Sequence, residues 1–344
     1  MNESLKKKIL SVIDTLSDQY WRLGHLIKTD FNITEKLQQL IKKIRLLTKI
    51  LKKLNTNLAI TKKIVSVKLK GGLGNQLYQI ATVMAYGWEH SLTPVFKTIK
   101  KTPSGATTRP VYWDSVFRKL PLIKQRPYNL FLYQQKRRGY HKISKPNEIC
   151  DIAKYSGVLF NGYFGSDKYF DKFRDKLLPI LFYIDPSEKE YLKNKYPEIY
   201  HGENITISLH IRRGDILINP KRYGLQLLWE SDYYSKSIAY FREKFAEDNL
   251  KIIIFSSEIE FVRNYTEKTF PSVDFIFPQE KDYLELYLMS CCDHQIIANS
   301  TFSWWGAYLN INPDKIVIAP KVWFIEKRVH KNWDHRYMKG WLKF

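Results

Sequence analysis

Two adjacent arginines are the first residues that could do chemistry. They stand in His210-Ile211-Arg212-Arg213-Gly214-Asp215, at the end of the apolar run 205–211. A guanidinium stays charged at any ordinary pH and binds through a planar fork, so it suits a diphosphate better than an ammonium does. An Arg–Asp salt-bridge cluster on a loop is the plain alternative.

The second cluster is Lys70-Gly71-Gly72-Leu73-Gly74-Asn75-Gln76. Its glycines permit positive φ and close backbone approach. The helix that follows would offer free N–H groups and its positive end to an anion. No Gly-Lys-Ser/Thr follows, so this is not a Walker loop, and the full Gly-x-Gly-x-x-Gly spacing is missing. A tight strand–helix turn explains the glycines equally well. Asn75 and Gln76 could each donate to a ligand while capping the helix.

The third is Asn299-Ser300-Thr301-Phe302-Ser303-Trp304-Trp305-Gly306-Ala307. The hydroxyls of Ser300, Thr301 and Ser303 sit where a helix would begin, able to cap it and to reach a phosphate. Trp304 and Trp305 read as core. Glu258, in Phe255-Ser256-Ser257-Glu258, and Asp282 are candidates for hydrogen bonds to a base or sugar. Each also fits as a carboxylate serving a helix dipole.

No Asp-x-Asp occurs in the chain. Closely spaced carboxylates are what hold a cation on a diphosphate. Two arginines and a helix N-terminus could neutralise a leaving phosphate instead, which points to metal-independent group transfer with no cofactor. Cys150, Cys291 and Cys292 form neither a disulfide framework nor a zinc pattern, and suit a reducing compartment.

These clusters need strands to aim them. The stretch 64–69 (IVSVKL) alternates as a strand and leads to a helix spanning about 75–90; apolar runs then recur at 157–160, 205–211, 251–255, 273–277, 295–298 and 316–319 with helical stretches between them. Strands alternating with helices predict an α/β fold with parallel sheets. The stretch 97–146 is basic and punctuated by five prolines, and reads as loops or an inserted substrate-facing region. A change near 196–204 marks a boundary, giving one domain over 64–203 and another over 204–344.

Residues 1–63 differ. Apolar side chains recur at alternating three- and four-residue steps from Ile9 to Leu58, broken only by Gln19 and Asp30. That is the seam of a coiled coil or helical hairpin. This arm has 14 basic and 5 acidic side chains, and so carries +9 of the chain's +22. Oligomerisation through residues 9–58 is the reading that the seam favours; peripheral contact with an anionic membrane is the other.

The 344 residues, 44% of them apolar, can build a substantial core and exclude wholesale disorder. No run of 18 apolar residues suggests a membrane span, and Asp14 and Asp18 break the N-terminal apolar stretch, which therefore fails as a signal peptide. The expected location is cytoplasmic or membrane-peripheral. Five Asn-X-Ser/Thr sequons, at Asn2, Asn32, Asn204, Asn264 and Asn299, read as chance without a secretion signal. The basic balance would also suit a polyanion- or membrane-binding scaffold. Nucleic-acid binding as the main function leaves the strand-end clusters unexplained.

In order, GGLGNQLYQIA (71–81), ISLHIRRGDI (207–216) and DYLELYLMSCCDHQIIANSTFSWWGAYLN (282–310) resemble glycosyltransferase family 11, the α-1,2-fucosyltransferases. GYFGSDKYF (162–170) and FSSE (255–258) look like further parts of the same pattern. The resemblance covers about residues 64–325. It implies a GT-B-like fold, two Rossmann-type domains facing across a cleft, with the acceptor on the N-terminal side and GDP-fucose held mainly by the C-terminal domain. It implies a galactoside 2-α-L-fucosyltransferase-like hexosyltransferase: inverting, metal-independent transfer to a galactose hydroxyl of a glycan. Arg212 and Arg213 would bind the diphosphate, and His210 and Asp215 would shape that pocket. Asn75 would lie near the phosphates or the fucose, and Ser300, Thr301 and Ser303 beside the phosphates. Arg213 would draw off charge from the departing GDP. Asp215 is the expected general base, with Glu258 as the alternative. Ile216, Tyr308 and Ser257-Glu258 depart from the usual pattern, which leaves the donor site in place and the acceptor open. The same fold with another GDP-sugar as donor is a second enzyme reading.

Overall fold

The computed structural model describes residues 63–344 except 106, 127–128, 136–139, 219–223, 246–249 and 326–333. The helical arm expected over 1–63, its oligomer seam and its membrane face lie outside the described residues, save Lys63 itself.

Chain entry is β1 (Ile64–Val67), the four-residue run IVSV, buried throughout. Helix Leu73–Glu89 follows, starting two residues earlier than the apolar pattern suggests. Three short strands, β2 (Thr93–Pro94), β3 (Phe96–Lys97) and β4 (Lys101–Ser104), lead into β5 (Thr107–Pro110), which closes an antiparallel hairpin with β4. Next come β6 (Leu122–Ile123), paired with β3, then β7 (Leu130–Gln134) and β8 (Gly157–Asn161). The first sheet has the order β2-β1-β8-β7, with every pairing parallel.

Six further strands make the second sheet. They are β9 (Ile205–His210), β10 (Leu250–Phe255), β11 (Phe275–Ile276), β12 (His294–Ile296), β13 (Val317–Ala319) and β14 (Leu342–Lys343). Their order is β11-β10-β9-β12-β13-β14, again parallel throughout. Parallel strands covered on both faces read as continuous apolar runs, and LKIIIF of β10 is such a run. Two parallel sheets wrapped by helices and facing one cleft form the α/β, GT-B-like arrangement of Rossmann-type units.

An aromatic wedge joins the two halves. Trp304 and Trp305, on helix Thr301–Leu309, are fully buried. Their rings meet Tyr78 of helix Leu73–Glu89 at 4.8 and 5.2 Å, and Phe170 stacks on Trp305 at 5.4 Å. The tryptophans are therefore core. Their tilted, edge-on and stacked contacts fix one helix against the other. Lys63–Phe344 forms one compact unit. Among its described residues, no helix is long and apolar enough to cross a membrane.

The stretch 97–146 is more ordered than its composition suggests. It holds the hairpin, the β3–β6 pair and β7, an edge strand that pairs with β8 over five residues. No residue of β7 is fully buried, although its sequence LFLYQ is as apolar as that of β8.

Candidate functional site

The strand ends β1, β8, β9, β10 and β12 open onto one cleft of about 820 Å³, lined from both sheets. In open parallel sheets, ligands bind beyond the carboxyl ends of the strands. The volume lies in the range of small-ligand sites.

On the N-terminal side, Gly71 has φ +81, and a Cβ there would strike the Asn75 side chain at 2.5 Å. Gly72 is the N-cap of helix Leu73–Glu89, with no side-chain cap. Asn75 lines the cleft. Gln76 does not, which corrects its reading as a ligand donor and cap: it is fully buried. Its amide donates to the Gly71 carbonyl, Thr102 Oγ1 and the Pro110 carbonyl at 3.1, 3.2 and 2.9 Å. It thus ties the β4–β5 hairpin to the glycine turn and holds Arg109 and Ser104 at the cleft's edge.

His210 ends β9 and lines the cleft. Its Nδ1 lies 2.9 Å from Ser303 Oγ, and Tyr234 donates to its carbonyl. Burial, then the nearby Arg212 charge, pushes its pKa down to about 3, so the ring is neutral near pH 7. Ser303 also accepts the Ala298 N–H at 3.2 Å. It therefore holds His210 from behind and does not face the cleft, unlike Ser300 and Thr301. Ser300 caps helix Thr301–Leu309 by accepting the Phe302 N–H.

The two arginines part company. Arg212 lines the cleft and donates to the Asn299 carbonyl at 3.1 Å. Arg213 turns to Glu258, with which it forms an ion pair, and its guanidinium lies 3.7 Å over the Phe261 ring. Neither Arg213 nor Glu258 is part of the cleft wall. Asp215 follows on helix Gly214–Ile218; its side chain lies outside the described residues.

The structure also brings in residues that local motifs do not reveal. Glu285, one turn along helix Asp282–Cys291, lines the cleft beside Asp282 and Glu280. Burial, reinforced by those two carboxylates, raises its pKa to about 7. Asp282 is also raised by burial; it accepts a hydrogen bond from the Tyr112 hydroxyl. Glu280 accepts from Lys195 at 2.7 Å and from Tyr196 at 3.0 Å. From the C-terminal segment comes Arg336, its guanidinium near Trp323 and against Gly165, where a Cβ would sit 2.9 Å from Nη2. Among the described residues no three His, Cys, Asp or Glu side chains are grouped to hold a metal ion.

The cleft is thus polarised. Arg212, Arg336 and two helix N-termini favour an anion. Three carboxyl groups offer acceptors to a group rich in N–H or O–H. A nucleoside-diphosphate sugar presents both demands in one molecule, and its enzymes form the class to which this fold and cleft correspond.

The chain belongs to glycosyl transferase family 11, which it matches over residues 28–344. It is 36% identical over 179 residues to the O-antigen biosynthesis glycosyltransferase WbnK of Escherichia coli, covering 51% of this chain and 58% of that protein's own length. It is 29% identical over 289 residues to an alpha-1,2-colitosyltransferase of the same organism, covering 76% of this chain and 92% of that one. Among solved structures it resembles the fucosyltransferase NodZ from Bradyrhizobium, with a TM-score of 0.48, 12% identity and coverage of 72% and 92%.

Proposed function

We propose that this glycosyltransferase moves fucose from GDP-fucose to the 2-hydroxyl of a galactose on a glycan, with inversion and without a metal ion. The observation that carries the reading is the meeting of Arg212 with two helix N-termini at one cleft.

The two sheets divide the work. The second supplies Arg212, His210, Ser300 and Thr301 to the donor; the first supplies Asn75 and its helix start to the donor and the rest of its wall to the acceptor. The guanine edge carries N1–H and N2–H donors, and Asp282 and Glu285 are its proposed acceptors. The diphosphate lies against Arg212, the Ser300 and Thr301 hydroxyls and Asn75. Arg213 and Glu258 support this wall from behind, through their mutual ion pair.

In the reaction the acceptor oxygen bonds to fucose C1 while the bond from C1 to the β-phosphate oxygen breaks. The bonding pair leaves on GDP. Charge growing on that oxygen meets groups already in place, which is the usual source of most of the rate gain. Asp215 takes the acceptor proton. Its backbone lies two residues beyond Arg213, and helix Gly214–Ile218 begins beside Ser257 at the cleft wall.

The test is incubation with GDP-fucose and a panel of galactosides in EDTA, read by mass spectrometry. The expected result is a galactoside heavier by one fucosyl group. Dependence on added magnesium or manganese would overturn the metal-free reading.

The likeness to a colitosyltransferase favours a second donor, GDP-colitose. Colitose is fucose without its 3-hydroxyl. A site that hydrogen-bonds that hydroxyl rejects the deoxy sugar strongly, whereas an apolar one does not. Competing the two donors in one reaction separates the readings.

A further inference from the structure

We propose that the Tyr163 ring is the platform on which the terminal sugar of the acceptor stacks. The inference rests on the transferase reading and names an acceptor subsite within it.

Tyr163 lines the cleft from the first sheet, yet 48% of it stays exposed. The adjacent Phe164 is fully buried. An exposed aromatic on a rigid support is a surface that waits for an apolar face.

The support is built for this. Phe164 has φ +48, a left-handed backbone that a bulky residue rarely adopts. Strain of that kind persists only where the surroundings hold it, and it gathers at binding sites. Here Gln135 Oε1 accepts the N–H groups of both Tyr163 and Phe164, at 2.9 and 3.1 Å. Gly162 makes room, since a Cβ would lie 2.5 Å from that of Gln135. Lys70 Nζ sits 4.8 Å over the Tyr163 ring and donates to Asn161 Oδ1 at 3.1 Å. The ammonium occupies one ring face and fixes the ring's tilt, which leaves the other face for a ligand.

Around the ring the chemistry suits a neutral sugar. Gln134, Gln135 and Lys70 line the same wall. The Gln134 and Gln135 amides are bonded within the protein and hold the wall in place, while the Lys70 ammonium, with three donors, can serve a hydroxyl at the rim of a pyranose whose C–H face meets the aromatic. Galactose, with its axial 4-hydroxyl, presents C3–H, C4–H and C5–H together on one face.

Saturation-transfer NMR on the full chain tests this, with a panel of methyl galactoside, lactose and methyl mannoside. Wild type should transfer saturation to H3, H4 and H5 of the galactosides. In Tyr163→Ala the effect should fall about tenfold, the usual scale for one lost aromatic contact. Tyr163→Trp should keep it. Equal saturation in wild type and Tyr163→Ala, or none in wild type with any sugar, overturns the platform. GDP calorimetry on the same samples separates the two assignments. Sugar contact without GDP binding supports the platform and refutes the donor. GDP binding without sugar contact does the reverse.

Discussion

Gly74 stands so close to Thr301 that a Cβ on it would lie 2.6 Å from the Thr301 carbonyl oxygen. These residues lie at the starts of helices belonging to different sheets. Each helix start carries N–H groups with no partner in its own helix. Only the missing side chain lets the two positive ends come together.

Gly74→Ala therefore forces the helix starts apart. Overpacking against backbone typically costs about 1–3 kcal/mol. The melting temperature should fall, and GDP affinity of the folded protein should drop about tenfold as one helix end moves off the anion. Calorimetry below the new melting temperature reads the second effect; unchanged affinity would show that the two ends do not share a ligand.

Arg212 and Arg213 should separate kinetically. Arg212→Ala removes a cation from the cleft wall, and kcat/KM should fall about 10²- to 10³-fold. Arg213→Ala mainly releases Glu258. Their ion pair is partly solvated, with side chains 25% and 31% exposed, so stability should change by no more than about 1 kcal/mol. Its effect on kcat/KM should be smaller than that of Arg212→Ala. Parallel kinetics on both variants check the order.

Glu285 gives donor binding a pH dependence. Burial lifts its pKa from 4.5 to about 7, so much of it is protonated near neutrality. Guanine N–H donors need the carboxylate. GDP binding should therefore weaken as pH falls through 7 and release a proton near it. Folding responds in the opposite sense. A native pKa raised above the unfolded value adds stability that is complete below about pH 4.5 and lost as pH rises through 7. Glu285→Gln should flatten both profiles. Titration calorimetry in buffers of different ionisation heat counts the proton.

Gln76 is a tether rather than a ligand. Gln76→Ala removes one donor from Thr102 Oγ1 and from the Gly71 and Pro110 carbonyls, while the Thr102 bond to Gly71 stays, at a cost of about 1–3 kcal/mol. It should raise the KM for donor through the loosened hairpin more than it lowers kcat. Steady-state kinetics distinguish the two parameters.

Much of the fold was legible because parallel strands are buried on both faces. LKIIIF announces β10 by a continuous apolar run, while IVSV and ITISLH announce β1 and β9 by apolar residues interleaved with Ser66, Thr206 and Ser208, which are small enough to be buried as well. The signal fades at sheet edges. The run 273–277 shrinks to the two residues of β11, and the short apolar LFLYQ of β7 is masked by its basic and proline-rich flanks. The motifs marked the strand ends that open onto the cleft, but not which way each side chain turns. Gln76 and Arg213 look like ligand contacts in sequence and face elsewhere in space, because helix phase and a neighbour such as Glu258 decide orientation. Glu285 lies within the 282–310 motif with nothing local to mark it as a cleft residue, and Arg336 lies outside every motif. They reach the cleft only through long-range packing.

The central claim is that the cleft holds a guanosine diphosphate through Arg212. The most direct measurement is calorimetric titration of GDP into wild type and Arg212→Ala at neutral pH in EDTA. Saturable one-site binding by wild type, weakened at least about a hundredfold in the variant, is the expected result. Equal affinities, or no binding to wild type until a divalent cation is added, would contradict it.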